Sequence, residues 1–360
     1  MNLKGVSYDV GRVMGGNWRP IFDRQVVHRE LAIIKNDLHC TAVRICGFDI
    51  VRLMTAAEDA LHQGLDVWLS PEMWDKSQEE TLKYITNAAS AAEKLRQQWP
   101  EHLVFLVGSE LTLFMQGIVP GKNVIGRMSY PSFWENAKAG KHNPPLNAWL
   151  TKANDVVRQV FHGQVTYASL LWEAVDWSLF DSVGVDHYRG AKIKDRYAEM
   201  LKPSFLHGKP VVITEFGCRT YQGADSTTEG MGGDLADYTP NLRVVMTFVT
   251  NAVRSSLFGT QLPPPRTRLK KGDWKRDEAM QARELTDQLD ILDHAGVEGA
   301  FIHTFVAPIA PYHDNPRYDL DMNSYSLVKS YTDKHGVAYP DMLWEPKVAF
   351  YAVADYYGRH

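Results

Sequence analysis

Sulfur chemistry, long apolar runs and net charge are all scarce in this chain, and each shortage removes a class of function. The three cysteines, Cys40, Cys46 and Cys218, are odd in number and form no CxxC pair, so no disulfide framework or zinc ribbon is encoded. Cys218 follows a strand-like run and reads as a buried free thiol rather than a nucleophile. No apolar stretch reaches the roughly 18 residues that a membrane span needs. The opening MNLKGVSYDV lacks a signal-peptide core and already reads as structure, which leads us to expect a cytoplasmic protein. With 39 basic against 43 acidic residues, a net charge of −4 provides no field for nucleic acid or an anionic membrane. HExxH and GxSxG are absent. The segment Gly117–Asn123 (GIVPGKN) is one residue short of a phosphate loop and lacks its Ser or Thr. His303, His313 and Asp314 show no metal-ligand spacing. Neither a metal nor a cofactor is expected.

What is present is a core and many rings. Hydrophobic residues make up 44% of 360 positions, enough for a full globular interior. The 10 Trp, 16 Tyr and 14 Phe suit flat, amphipathic ligands, sugars among them. Short β-branched or aromatic runs recur at Leu3–Asp9, Thr41–Cys46, Leu65–Ser70, Leu103–Ser109, Gln164–Ser169, Asp181–His187, Pro210–Glu215 and Gly299–Phe305. Most precede helical segments, such as Asp23–Asn36, Ile50–Gln63 and the one opened by the Ser77-x-x-Glu80 capping box. Several runs are apolar on both faces, as parallel strands covered by helices must be. No Gly-rich dinucleotide turn follows the first run. The pattern therefore predicts a (β/α)8 TIM barrel occupying residues 1–360 as a single domain, with long βα loops at its C-terminal face. Spacing is uneven: only a short helix near Ala174–Phe180 fits between strands five and six. Asn241–Phe258 and Asp277–His294 are two helical stretches between strands seven and eight.

Two glutamates end strongly apolar strands. Glu110 follows LVFLVGS and Glu215 closes PVVITE. A carboxylate at the end of a buried strand costs free energy unless it is paired, protonated or used. As fourth and seventh strands of a barrel, their ends face each other across the mouth where active sites lie. Paired carboxylates of this kind suit glycoside cleavage, one protonating the leaving oxygen and the other attacking the anomeric carbon. The bland reading is a structural acid salt-bridged to a strand arginine.

VFLVGSEL (Val104–Leu111) and VVITEFG (Val211–Gly217) resemble the strand-four and strand-seven signatures of clan A retaining glycoside hydrolases, above all the β-mannanase-like branch. The resemblance implies Glu110 as general acid/base and Glu215 as nucleophile. It implies Arg44, in AVRIC, as the arginine that holds the nucleophile ionised. His187 and Tyr188, in VGVDHY, would line the site and hydrogen-bond the nucleophile. WEPKVAFYAVADYY (Trp344–Tyr357) looks like the closing helix of these barrels. Two positions depart from the clan. Ser109 stands where most members carry an Asn that contacts the sugar 2-hydroxyl, and Phe305 or His303 stands where an aromatic platform, often Trp, ends strand eight. A looser resemblance, to sequences labelled abortive-infection proteins, carries no mechanism.

Around these residues, the strand order puts Trp74 and Trp172 on the mouth as candidate sugar platforms or as ordinary packing. Glu72 and Glu173 beside them are candidate hydroxyl ligands or solvated loop acids. Asp9 and Asp186 end strands one and six as further subsite candidates. Three long loops, Gly117–Pro145, Arg219–Pro240 and Val306–Tyr339, leave the same face, and the middle one has lid-like composition. The basic Pro263–Arg276 (PPPRTRLKKGDWKR) reads as a solvated, Pro-stiffened loop. The leading expectation is a retaining β-glycosidase acting on oligosaccharides or small glycosides. The alternatives are a silent barrel that binds carbohydrate or a protein partner, in keeping with an abortive-infection label, and another carboxylate-based barrel enzyme. Oligomeric state is not encoded legibly.

Overall fold

A computed structural model describes residues 1–13, 16–227, 235–237 and 267–360. Eight strands, Leu3–Asp9 (β1), Ala42–Gly47 (β2), Asp66–Pro71 (β3), Leu103–Ser109 (β4), Gln164–Leu170 (β5), Val183–Asp186 (β6), Val211–Phe216 (β7) and Gly299–Ile302 (β8), follow one another in sequence order. Each pairs in parallel with the next, and β1 closes on β8. The chain is therefore a closed parallel (β/α)8 barrel, as its sequence predicts.

Local chemistry explains the helices that cover it. Asp23 caps Arg24–Asn36 by accepting from the Gln25 N–H, and Val27, Leu31 and Ile34 fall on the buried face. Ser77 and Glu80 complete their capping box at the start of Gln78–Arg96. Glu278–Ala295 ends at Gly296, whose φ of 82° only glycine adopts cheaply.

Several segments differ from expectation. Between β5 and β6 the predicted helix is a single 3-10 turn, Trp177–Leu179. The closing helix starts only at Val348, because Trp344–Pro346 pairs antiparallel with Val328–Ser330. Gly117–Pro145 is not an open loop but carries short helices Val124–Met128 and Phe133–Lys138 and the start of Asn143–Arg158. The expected helix Asn241–Phe258 lies outside the described residues, as do residues 228–234 and 238–240 of the lid-like Arg219–Pro240. Within the described part of the basic segment, residues 267–276, Lys270, Lys271, Asp273 and Lys275 are exposed, as expected of a solvated loop, but its two ends are anchored. Leu269 is buried and Arg276 pairs with Asp319, Asp321 and Glu278.

The barrel interior explains where a site can form. Strand side chains alternate between faces, and at the lower level the inward positions are apolar: Leu3, Ala42, Trp68, Val104, Leu106, Ala168, Val212 and Phe301 pack together. Gly5 leaves room for the Phe301 ring, which would lie 2.4 Å from a Cβ there. Two residues further along, the same faces turn polar, with Arg44 after Ala42, Ser70 and Glu72 after Trp68, and Thr214 after Val212. Register irregularities interrupt the ladders at Leu106/Ser109, Val185/Asp186 and Ile213/Phe216. Such bulges re-aim side chains beside functional sites. Here they flank Ser109, Asp186 and Glu215.

Candidate active site at the mouth of the barrel

Glu215, near the end of β7, is held from four directions. Arg44 Nη1 donates to its Oε1 at 2.5 Å and the Tyr188 hydroxyl donates to Oε2 at 2.8 Å. Arg12 Nη1 donates to Oε1 at 3.4 Å, and His303 Nδ1 lies 3.8 Å from the same oxygen. Burial opposes ionisation, yet His303, Arg44, Arg12 and the Tyr188 hydrogen bond together hold this carboxyl well below its usual range. Burial pushes the His303 imidazole down to about 4, so at neutral pH it is uncharged and the two guanidinium groups supply the attraction. An ion pair at contact is worth about 4 kcal/mol at the effective dielectric of a protein.

The guanidinium groups are themselves fixed. Arg44, fully buried, also donates to the Thr214 carbonyl, to Ser70 Oγ at 3.1 Å and to Glu72 Oε1 at 3.3 Å. Arg12 leaves the turn after β1, where Asp9 accepts from the Gly11 and Arg12 amides and from Arg12 Nε at 2.7 Å. Its Nη1 reaches Glu72 Oε2 at 3.4 Å. Trp18 and Trp74 cover the Arg12 head, with centroids 4.9 and 5.6 Å from it. Two cations thus meet three carboxylates, Asp9, Glu72 and Glu215. Burial, opposed by Arg12 and Arg44, raises Glu72 above the ordinary carboxyl range.

Glu110 occupies the opposite environment. It follows β4 with φ +47°, a left-handed conformation that side chains rarely adopt. The residue as a whole is half-buried. Burial, then the charges of Asp186, Glu215 and Glu173, push it well above the ordinary carboxyl range, and Arg44 only partly opposes them. Asp186, on the end of β6, accepts from Thr214 Oγ1 at 2.6 Å and from Ser109 Oγ at 3.3 Å. Burial and then the Glu215 charge push Asp186 up to about 8. Facing strand ends thus carry one carboxyl that stays ionised and one that keeps its proton. That separation is what divides a nucleophile from a general acid.

The other expected site residues divide. His187 does not reach Glu215 with its ring. Asp186 faces inward, so the next side chain faces outward, where it stacks on Tyr197 with Nε2 2.8 Å from that residue's carbonyl. Only its backbone N–H meets the Glu215 carbonyl. Phe305 is not a platform: β8 ends at Ile302, the chain turns, and Phe305 is buried against Tyr8, Trp344 and Phe350. His303 takes the position beside Glu215 instead, next to Tyr325. Glu72 and Glu173 are buried and engaged by protein groups, so neither is a solvated loop acid, and Asp9 at the end of β1 is buried and engaged in the same way. Trp74 has one face stacked on Phe114 at 4.4 Å and an edge contact with Trp18. Trp172 packs edge-on against Phe133 and His142. Sequence reading missed Arg12. The short Asp9-x-Gly11-Arg12 turn was its only signal, and an irregular loop has no period to reveal where a side chain points.

Among the described residues no group of three His, Cys, Asp or Glu could hold a metal ion, and no helix is long and apolar enough to cross a membrane. No family model matches the chain, and no curated protein matches it by sequence. Solved structures do resemble it. A GH113 beta-1,4-mannanase is 14% identical over the whole of both chains with a TM-score of 0.58. The GH113 beta-mannanase AaManA from Alicyclobacillus acidocaldarius, in complex with ManMIm, is 14% identical, matching all of this chain and 98% of that one, with a TM-score of 0.57. A beta-glucuronidase from Ruminococcus gnavus is 13% identical with a TM-score of 0.53, matching 99% of this chain but 49% of that longer one. At such identities the likeness lies in the fold, and this chain shares its barrel with these glycoside hydrolases.

Proposed function

We propose that this chain is a retaining β-glycoside hydrolase acting on oligosaccharides or small glycosides, with Glu215 as nucleophile and Glu110 as general acid/base. The observation that carries the reading is the opposed electrostatics of the two strand-end carboxyls. In the first step Glu215 attacks the anomeric carbon while Glu110 protonates the departing oxygen. In the second, Glu110 removes a proton from water, which displaces Glu215 and restores the anomeric configuration. The Glu215 carboxylate, held ionised beside the anomeric carbon, favours the oxocarbenium-like transition states of both steps. Neither step needs a cofactor. The β-linked substrates named for the structural neighbours, mannan and glucuronides, are the first sugars to try.

The test is a screen of aryl β-mannosides, β-glucuronides and other aryl β-glycosides, followed by Glu215→Ala on whichever substrate releases its aglycone. Turnover should vanish and return in part with azide, giving the glycosyl azide of inverted, α configuration. Glu110→Ala with azide should instead give the β-azide. Binding of these sugars without any aglycone release, or full activity in Glu215→Ala, overturns the reading.

A further inference from the structure

We propose that Tyr167 and Glu173 are positioning residues that hold the Glu110 turn in its reactive geometry. The inference rests on the reading of Glu110 as acid/base. A non-glycine residue at φ +47° costs about 1–3 kcal/mol and persists only where its surroundings dictate it. The dictating groups all come from β5 and the turn after it. Glu110 N–H donates to the Ala168 carbonyl at 2.9 Å. The next amide, Leu111 N–H, donates to the Tyr167 hydroxyl oxygen at 2.8 Å. The amide after that, Thr112 N–H, donates to Glu173 Oε1 at 3.2 Å. Tyr167 passes its own proton to Glu173 Oε2 at 3.0 Å, and Leu170 N–H donates to the same oxygen at 3.0 Å.

Three consecutive amides, beginning at the reactive residue, are thus tied to one neighbouring strand. Tyr167 is fully buried and Glu173 is 7% exposed. Among the described residues no cation pairs with Glu173. Its two oxygens are occupied by donors from the backbone and from Tyr167. A buried carboxylate without a cation is costly: burial pushes Glu173 up to about 7, and its hydrogen bonds from Thr112 N–H, Leu170 N–H and the Tyr167 hydroxyl oppose that only in part. Gly184 on β6 allows the arrangement, because a Cβ there would lie 2.3 Å from the Tyr167 carbonyl.

A residue that acts through the general acid leaves a signature that a merely structural one does not. Dinitrophenol departs without a proton, whereas phenol needs one. The comparison is kcat/KM, which reports the first step only, for dinitrophenyl and phenyl β-glycosides of the sugar the chain turns over. Tyr167→Phe removes the acceptor for Leu111 N–H. Glu173→Gln leaves an amide N–H facing an NH2 group. Each should lower kcat/KM for the phenyl substrate roughly 10- to 100-fold, the scale of a small misplacement of a catalytic group, and leave the dinitrophenyl substrate within about twofold. Retained dinitrophenyl turnover also shows that the variant folds, and Tyr167→Phe, which removes one oxygen, stands if Glu173→Gln does not. Glu110→Ala is measured beside them. If it discriminates between the leaving groups while both variants lose equally on each or lose nothing, the positioning role is overturned and the acid/base assignment stands. If Glu110→Ala itself does not discriminate, the acid/base reading falls and the inference with it.

Discussion

The two sides of the barrel mouth solve the problem of burying a carboxyl in opposite ways. On the β7 side, Glu215 is surrounded by donors: Arg44, Arg12 and Tyr188 all point at its oxygens. On the β4 side, Glu110 is surrounded by acids, and the order is in the backbone, whose amides are tied to β5 through the Ala168 carbonyl, Tyr167 and Glu173. One residue is fixed by its side-chain partners and kept charged. The other is fixed by its main chain, with a carboxyl open to change its proton. A nucleophile must hold position and charge, whereas an acid/base must exchange a proton twice per turnover. The arrangement of partners follows that difference.

The largest way to break the comparison is to remove each carboxyl in turn. On the proposed mechanism Glu215→Ala should reduce turnover of every aryl glycoside by on the order of 10⁴-fold or more, because it removes the carboxylate proposed to form the covalent intermediate. Glu110→Ala should cost roughly 10²- to 10⁴-fold, concentrated on substrates with poor leaving groups. Equal, leaving-group-independent losses would abolish the distinction between the two sides.

Much of this contrast is legible in the sequence, and the reason is periodicity. Strands β2, β4 and β7 are short and almost wholly apolar, so Arg44, Glu110 and Glu215 stand out against them, and the two-residue alternation says which way Arg44 points. The eight-strand order follows from the same runs. Legibility fails where the period stops. Arg12 sits on an irregular turn. His187 lies one residue beyond β6, and that single step turns its ring outward. Phe305 is three residues past the end of β8, so counting along the strand overshoots and His303 takes the place beside Glu215. The partnership of Tyr167 and Glu173 with the Glu110 turn requires two strands in register, which no local pattern encodes.

Arg12 offers a finer test of the cation-rich side. Arg44→Met removes a contact at 2.5 Å and leaves Glu72 and Glu215 short of a buried partner, a change that costs about 3–5 kcal/mol in stability. Arg12→Met is milder, since its contact with Glu215 is 3.4 Å. The Glu215 pKa is depressed in the folded protein, so activity that depends on its charge is present at neutral pH and is lost as pH falls through that value. Without Arg12 the value rises, and the acidic limb of the kcat/KM profile should move to higher pH, by roughly one unit for loss of one nearby cation. The basic limb, set by Glu110, should stay within a few tenths of a unit. A shift of both limbs together would mean that the two sides are not electrostatically separate.

The smallest expected effect reads the acid-rich side through stability alone. Glu110 binds its proton more tightly in the folded chain than in the unfolded one. The stability it contributes is therefore fully present below the unfolded pKa and is lost as pH rises through the folded one. At neutral pH the unfolded chain gains by ionising this group, and each unit of elevation corresponds to about 1.4 kcal/mol. Glu110→Gln abolishes that ionisation at nearly constant shape, so the variant should melt a few degrees above the parent at pH 7 while losing most of its activity on phenyl glycosides. Toward pH 3, where the parent carboxyl is protonated in both states, the difference in Tm should shrink toward zero. Glu215→Gln should do the reverse at pH 7, melting lower, because Arg44 and Arg12 lose a charged partner. If both variants shift Tm in the same direction at pH 7, the opposed environments of the two carboxyls do not exist in solution.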